Sequence, residues 1–588
     1  MMVENTCELS VIVATRAPPG SLAPLLGSLA RQSVAPQGYE AIIIHERGAD
    51  QAHELERLSL PYPVTLVPRE EGGVGSSRNQ AVRQAQGRFC LFLDGELVAS
   101  ADLLLEHLRA QRAGSRVVSI GNLANLPRGA AGWRWRAEWA YDDAGYSGRG
   151  DESLFLNCGG NYCLPRELFF EVGGFSEDEA GLRPETFAAD LELGYRLHQA
   201  AAKFVFVPGA RTYGRVRQSL RQATARAERR GADEMWLYQQ HPDLLPHLAI
   251  GGGSEPASDV NDVSHWRLAA IRNLLMTVRL PPAALAALTG VTPARSRPQA
   301  DQLLYSYCYW RGIRQAVSSD DSWRRIKTGA TILMYHAIGR PGDPPARFVV
   351  PERRFRRQMA WLHRRGYNVV GLDELVRCHR ENQMPPAKSV SLTFDDGYTD
   401  NVDLALPVLR RYGFAATFFL STTPRAGTNH AEEPAVAPRE DGLRGRPRVP
   451  LQHARRFLEG GTVGAHARTH PDLTSLSPSE ANQEISGSKT DLETALGTPV
   501  SLFAYPYGRY DDRVRQLVAD AGYLAACSTE PGRNRAATDR YQLRRFTIDG
   551  TGTTARFALT LWLGEILTHL RRRRRRTRTT EQRPQRNR

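Results

Sequence analysis

The chain has 588 residues, a formal net charge of +14, 41% hydrophobic and 24% charged residues. That length exceeds what one hydrophobic core organises, so two or three domains of ordinary globular composition are expected. No apolar run reaches the length of a membrane-spanning helix, which argues against an integral helical membrane protein.

From the beginning, strand and helix alternate. Residues 9–15 read as a buried strand, 22–31 as an amphipathic helix, 39–44 and 64–67 as further strands. A glycine-rich turn, Gly72-Gly-Val-Gly75, opens a helix at Ser76, and the strand 88–93 ends in Asp94-Gly-Glu96. This βαβ alternation predicts an α/β fold with a mostly parallel sheet and ligands at the carboxyl ends of its strands. Two carboxylates there can hold Mg²⁺ or Mn²⁺, and Arg78, early in a helix after a glycine-rich turn, can meet phosphate.

The segments Ser10-Val-Ile-Val-Ala-Thr15, Gly75-Ser-Ser-Arg-Asn79, Leu93-Asp-Gly-Glu96, Asn161 with Val172-Gly-Gly-Phe175, and Asp190-Leu-Glu-Leu-Gly-Tyr-Arg-Leu197 occur in this order. Together they resemble the inverting family 2 glycosyltransferases of the GT-A (Rossmann-like) fold. The resemblance spans residues 9 to about 215 and implies a domain over residues 1–215. It implies Asp190 as general base, Asp94 and Glu96 as metal carboxylates, and Thr15, Arg78 and Asp94 as contacts to a UDP-sugar. Three family positions are altered, to His45, Ala189 and Gly214.

Residues 216–329 read as a basic, helical connector interrupted at Gly251-Gly-Gly-Ser-Glu-Pro256. The aromatic run Tyr305-Ser-Tyr-Cys-Tyr-Trp310 is expected to bury against a neighbour.

A third region follows. Residues 330–335 form a strand ending in His336, and 390–394 a strand ending in Asp395-Asp396-Gly397. Adjacent side chains of a strand point to opposite faces, so both carboxylates serve one site only if the backbone turns, as Gly397 permits. The run 461–465 ends in His466-Ala-Arg-Thr-His470, whose histidines share a face if the segment is helical. The run 501–505 ends in Pro506-Tyr507-Gly508. Three strands delivering polar groups from their carboxyl ends is how an α/β barrel builds an active site.

These three motifs resemble the NodB-type polysaccharide deacetylases (carbohydrate esterase family 4), which implies a distorted (β/α) barrel over residues 330–570. The resemblance implies Asp396, His466 and His470 as ligands of a divalent metal, usually zinc, and Asp395 as general base. Pro506, Tyr507 and Gly508 would line the substrate and oxyanion side. The family's base-orienting arginine falls at Ala504, and its general acid has no match. Residues 422–450, rich in Pro, Gly and charge, read as a mobile loop.

Seven scattered cysteines without C-x-x-C spacing, and no basic-then-apolar leader, point to a cytoplasmic chain. Residues 571–588 hold ten Arg and one Glu, a disordered tail suited to peripheral contact with the anionic inner face of a membrane. No specific nucleic-acid partner is expected. The two resemblances together imply a bifunctional carbohydrate enzyme. It would transfer a sugar, an N-acetylhexosamine by the economical reading, to a glycan, lipid-linked or small acceptor, and remove an acetyl group. The rival reading is a deacetylase carrying the transferase-like domain as a glycan-binding module.

Overall fold

The computed structural model describes residues 7–14, 19–45, 59–68, 73–125, 155, 158–176, 188–214, 220–251, 271–272, 274–276, 278, 280–290, 297–343, 346–423, 442–443 and 445–561. The arginine-rich tail, most of the loop at 422–450 and Thr15 lie outside this set. The described residues form two compact units, one from the N-terminus to 240 with 271–316, the other from 241–251 with 317–561. The helical connector is thus divided between the two units.

The first unit is built on an eight-stranded sheet. Its strands are β1 (Leu9–Ala14), β2 (Tyr39–His45), β3 (Val64–Pro68), β4 (Phe89–Asp94), β5 (Leu97–Ala99), β6 (Val117–Asn125), β7 (Asn161–Pro165) and β8 (Lys203–Gly214), in the order β3-β2-β1-β4-β7-β6-β8-β5. The first four run parallel, with Ala14 beside Asp94 in register. β7 then enters antiparallel to both β4 and β6, so the sheet is parallel on one side and mixed on the other. Strands β1, β2 and β4 are apolar on both faces because helices cover both sides, which is why they read as continuous hydrophobic runs.

The helices Leu220–Gln240 and Arg297–Ala316 pack on each other within this unit. They meet at two glycines: a Cβ on Gly231 would lie 2.0 Å from the Tyr309 carbonyl oxygen, and one on Gly312 1.8 Å from that of Glu228. The aromatic run expected to bury does so, with Tyr305, Tyr307, Tyr309 and Trp310 all in the interior.

The second unit is a curled, parallel sheet. Its strands are β9 (Thr331–Tyr335), β10 (Ala337–Gly339), β11 (Val349–Pro351), β12 (Asn368–Val369), β13 (Ser389–Asp395), β14 (Ala416–Leu420), β15 (Gly461–Ala465), β16 (Leu502–Ala504), β17 (Ala525–Cys527) and β18 (Phe546–Thr547). The main path is β17-β16-β15-β14-β13-β9-β18, with β12 beside β13 and β10 paired with β11. Alternation along each strand sorts the core. Leu333, Phe394, Phe418 and Phe503 pack in one cluster, while Ile332, Phe419, Leu502 and Cys527 form another. On β13 the apolar Val390, Leu392 and Phe394 belong to the first cluster, so Ser391, Thr393 and Asp395 project from the opposite face as a buried polar column. This is the distorted barrel expected. All seven cysteines are free thiols.

Gly231→Val should destabilise the first unit by about 1–3 kcal/mol, because the neighbouring helix backbone has nowhere to move. A thermal unfolding scan checks this; an unchanged midpoint would mean the helices can separate without cost.

Candidate active sites

In the second unit, β13 ends on Asp395 and the backbone reverses at once. Asp396 has φ 75° and Gly397 φ 70°, so the turn begins one residue earlier than the glycine implied. A Cβ at 397 would also lie 2.7 Å from Leu420 Cδ2. Asp396 therefore joins Asp395 at the same end of the barrel.

Asp395 is buried and its two oxygens accept from Arg545, Nη1 at 2.7 Å and Nη2 at 2.8 Å. Arg545 is itself fully buried and donates further to the Ser528 carbonyl and Thr393 Oγ1. Burial alone would raise the Asp395 pKa, but the fields of Arg545, His466 and His336 outweigh it and hold the carboxyl below its ordinary value. A bidentate pair of this kind fixes both charge and orientation. The arginine that sequence reasoning sought at 504 is supplied instead from residue 545. It lies in the pair Arg544-Arg545 ahead of β18, two strands from β13, and the sequence around it carries no distance information.

Asp396 is the centre of the second cluster. Its Oδ2 accepts from the Tyr398 hydroxyl at 3.1 Å, while its buried Oδ1 has no hydrogen-bond partner. That orphan oxygen faces His470 Nε2 at 3.5 Å, Arg448 at 3.6 Å and His466 Nε2 at 3.9 Å. Candidate ligand atoms of Asp396, His466 and His470 all lie within 4.8 Å of one another. His466 Nδ1 donates to the Ala504 carbonyl at 2.7 Å, which turns Nε2 toward the carboxylate as the ring's ligand atom. An orphaned carboxylate oxygen, two imidazoles and a fixed tautomer are the donor set a divalent cation takes. Burial would raise the Asp396 pKa, yet His470, Arg448, His336 and His466 together hold it far down.

The two histidines converge without the helix that was the condition for their sharing a face. Residues 466–470 form an irregular loop with positive φ at Ala467 and His470, both 61°. Glu484, on the helix Pro478–Leu496, accepts from the Arg468 and Thr469 amides and the Thr469 hydroxyl at 2.7–2.9 Å. Asp491 on the same helix takes the Arg468 guanidinium. The helix therefore holds a strained loop in the shape that brings His470 back over Asp396.

Pro506, Tyr507 and Gly508 form a tight turn after β16, with φ 57° at Tyr507 and 69° at Gly508. The Tyr507 ring packs edge-on against His470, 4.6 Å between centroids, which puts this turn beside the cluster. His336 is a functional candidate that sequence reasoning missed. Tyr335 is in register with Phe394, so His336 emerges beside Asp395. Asn401 donates to its carbonyl at 2.7 Å and its ring packs on Phe348, but its buried Nδ1 has no hydrogen-bond partner. Burial lowers its pKa against the pull of Asp395 and Asp396. The available signal was a polar residue ending a strand, the same signal that marked Asp395 and His466.

In the first unit, Asp190 opens the helix Ala188–Gln199 and accepts on Oδ1 from Arg78 Nη1 at 2.7 Å and the Tyr162 hydroxyl at 2.8 Å. Arg78, on the helix Gly73–Gln84, also lies 4.0 Å from Asp94 and over the Phe175 ring. The structure thus brings Arg78, Asp94 and Asp190 together. Asp94 ends β4 with 45% of its side chain exposed, and Glu96 is exposed in the turn before β5. Burial of the site raises both carboxyls, with Asp190 adding to the rise at Asp94 and Asp94 adding to that at Glu96, and a divalent cation between them would oppose it.

Other motif residues are scaffolding. Asn79 exchanges two hydrogen bonds with Phe175 that fix the Gly173-Gly174 turn, and Asn161 is bonded to His107, Ala210 and Thr212. Of the altered positions, His45 is buried at the end of β2, Ala189 is half-buried, and Gly214 pairs with Leu97 beside Glu96.

Comparisons with known proteins divide the chain the same way. Residues 10–173 match the family model for glycosyl transferase family 2, and residues 382–526 that for polysaccharide deacetylase. A Bacillus subtilis protein named for the polysaccharide deacetylases is 28% identical over 242 residues, covering 40% of this chain and 79% of its own. The poly(ribitol-phosphate) β-N-acetylglucosaminyltransferase TarS of Staphylococcus aureus is 33% identical over 92 residues, 15% of this chain and 16% of its own. The validoxylamine A glucosyltransferase of Streptomyces hygroscopicus is 27% identical over 279 residues, 41% of this chain and 58% of its own. The chain therefore carries a domain of each family, both families of enzymes. Asp190, His336 and Arg545 lie outside the matched segments.

Arg448→Ala should tighten divalent-metal binding about tenfold, since it removes a like charge facing the orphan Asp396 oxygen. Glu484→Ala should weaken it by releasing the His470 loop. Competition with a chelating dye reads both; weaker binding in the Arg448 variant would refute the like-charge reading.

Proposed function

We propose that this chain is a bifunctional carbohydrate enzyme, transferring a sugar from a nucleotide donor in the first unit and hydrolysing an acetamide in the second. The observation that carries the second activity is the pairing of two differently held carboxylates at one barrel end. Asp395 is locked by Arg545, while Asp396 offers a free oxygen among imidazoles.

For the second unit, Asp396, His466 and His470 would hold a divalent metal, and two imidazoles with one carboxylate suit zinc. When bound, the ion supplies Lewis acidity to the acetamide carbonyl and to a water. Asp395, kept ionised by Arg545, takes the proton from that water as its oxygen attacks the carbonyl carbon. The turn at Pro506, Tyr507 and Gly508 lies beside the cluster, where charge on the former carbonyl oxygen develops. The proton Asp395 drew from the water passes through His336, on the next strand and kept neutral at rest by burial, to the departing nitrogen as the C–N bond breaks. Acetate and a free amine are the products.

For the first unit, Asp94 and Glu96 would hold Mg²⁺ or Mn²⁺ against the donor diphosphate. Asp190 would take the proton of the acceptor hydroxyl, with Tyr162 and Arg78 setting its position. One observation favours the rival reading of a glycan-binding module: Arg78 and Tyr162 already occupy Oδ1 of Asp190, the carboxylate that would take the acceptor's proton. We retain the catalytic reading because Arg78 also reaches Asp94, so donor binding there would compete for the guanidinium.

Joined, the two activities give transfer of an N-acetylhexosamine followed by its de-N-acetylation, on a glycan, lipid-linked or small acceptor. No helix among the described residues is long and apolar enough to cross a membrane. A cytoplasmic setting, with the arginine-rich tail at an anionic inner membrane face, is part of the same proposal.

With UDP-N-acetylglucosamine and an acceptor panel, Asp395→Asn should lower acetate release about 10³-fold and leave sugar transfer intact. Asp190→Asn should do the reverse, which mass spectrometry of the products resolves. Transfer unchanged in the Asp190 variant, or undetectable in the wild type with every donor, would favour the binding-module reading. His336→Ala should cost about 10²-fold in deacetylation with metal content unchanged; full activity would remove it as the acid.

A further inference from the structure

Arg448 faces the histidine and aspartate cluster of the second unit, and the chemistry above gives it no part. Its guanidinium lies 3.6 Å from the orphan Oδ1 of Asp396 and over the Tyr398 ring, 5.6 Å from the centroid. Among the described residues, Asp396 is the one carboxylate within ion-pair distance of it. A cation seated on that oxygen would take this partner away.

The backbone cannot carry the guanidinium away. Arg448 bridges antiparallel to Tyr398, and the flanking amides close the pairing. Thr399 donates to the Pro447 carbonyl and Val449 to that of Gly397, both at 2.9 Å. Two residues earlier, Arg446 donates to Asp400 at 2.9 Å and to Asp343 at 2.6 Å. The segment is thus stitched to the turn that presents Asp395 and Asp396, and Arg448 stays beside the cluster when an ion is bound. Its side chain is 16% exposed, against 3% for Asp396 and His466, so it stands on the solvent side.

Charge decides what it can do there. In the absence of a metal, Asp395 and Asp396 offset Arg545 and Arg448. Imidazoles bind a metal in their neutral form. A divalent ion on Asp396, His466 and His470 therefore leaves this end of the barrel two positive charges in excess. A neutral N-acetyl sugar brings nothing to balance them. A phosphate ester does, since its dianion equals the excess and its oxygens match the planar guanidinium fork.

We infer that Arg448 sets the substrate of the second unit as an N-acetylhexosamine 1-phosphate, with the phosphate on Arg448 and the acetamide at the cluster, an extension that rests on the deacetylase reading of this unit. The guanidinium and the three candidate ligands converge on one carboxylate oxygen, so the two substrate groups they hold must be close neighbours. The anomeric carbon is the neighbour of the acetamide-bearing carbon that forms phosphate esters in activated sugars. A phosphate on the far side of the ring does not reach Arg448 while the acetamide is at the cluster. An internal residue of a neutral polysaccharide is excluded from the class.

The test follows acetate release by the zinc-saturated full-length protein from N-acetylglucosamine 1-phosphate, N-acetylglucosamine 6-phosphate and the neutral methyl N-acetylglucosaminide. The expected kcat/KM for the 1-phosphate is at least about tenfold above the other two. Arg448→Gln should cost the 1-phosphate about tenfold more than the neutral glycoside, as a rise in KM, and Arg448→Lys should restore part of the loss. Calorimetry with glucose 1-phosphate, which has no acetamide to hydrolyse, reads binding apart from turnover. It should bind the zinc-loaded wild type about tenfold more tightly than the zinc-loaded Arg448→Gln variant. Equal rates on the 1-phosphate and the neutral glycoside, or on the two phosphates, would overturn the inference. So would an equal kcat loss on all three sugars in Arg448→Gln, which would make Arg448 a contact to the oxyanion. Acetate from none of them would instead remove the deacetylase reading, and glucose 1-phosphate binding untouched by Arg448→Gln would then remove the role of Arg448 as well.

Discussion

The barrel depends on keeping two neighbouring carboxylates charged, buried and different. Side by side in a low-dielectric interior, two such groups repel and one is driven to take a proton. Here each has its own set of cations. Asp395 has a buried guanidinium gripping both oxygens; Asp396 has imidazoles and Arg448 around a single open one. The division of labour follows: the first carboxylate is oriented and cannot swing toward a metal, and the second is left with a vacant lone pair. Much of the surrounding backbone serves this arrangement. Asp396, Ala467, His470 and Tyr507 all hold positive φ without being glycine, and all four lie at this end of the barrel.

The first unit solves a related problem by other means. Asp190 and Asp94 share one arginine, so Arg78 bridges the two carboxylates. A guanidinium that can trade a carboxylate for a phosphate couples the charge state of one to occupancy of the other. The two units therefore hold their carboxylates differently: one dedicates a buried guanidinium to Asp395, the other lets Asp94 and Asp190 share one.

Much of this was legible in the sequence because it is local. The strand runs 9–14 and 89–94 are apolar on both faces, the runs 89–94 and 389–395 end in acid, and a chain so patterned has few alternatives to a covered parallel sheet. The Asp395-Asp396-Gly397, His466 and Pro506 motifs sit where strands end, and sequence order alone placed them at one end of a barrel. What could not be read was non-local. Arg545 reaches Asp395 across 150 positions, and His336 becomes a neighbour of Asp395 only because β9 pairs with β13. The condition that residues 466–470 be helical is not met, for a different reason. The i, i+4 spacing was right, but Glu484 and Asp491 bind the loop's amides and guanidinium in place of helical hydrogen bonds, and spacing carries no sign of that competition. The connector could not be apportioned because its glycines reveal close helix contact only once the partner helix is known.

The claim on which the account turns is that Asp396, His466 and His470 together bind one divalent ion. X-ray absorption at the zinc edge of the zinc-loaded protein addresses it directly. The account predicts a first shell of two imidazole nitrogens with oxygen and no sulfur, losing one imidazole in the His470→Ala variant. A shell containing cysteine sulfur, or one with two imidazoles still present in that variant, would contradict it.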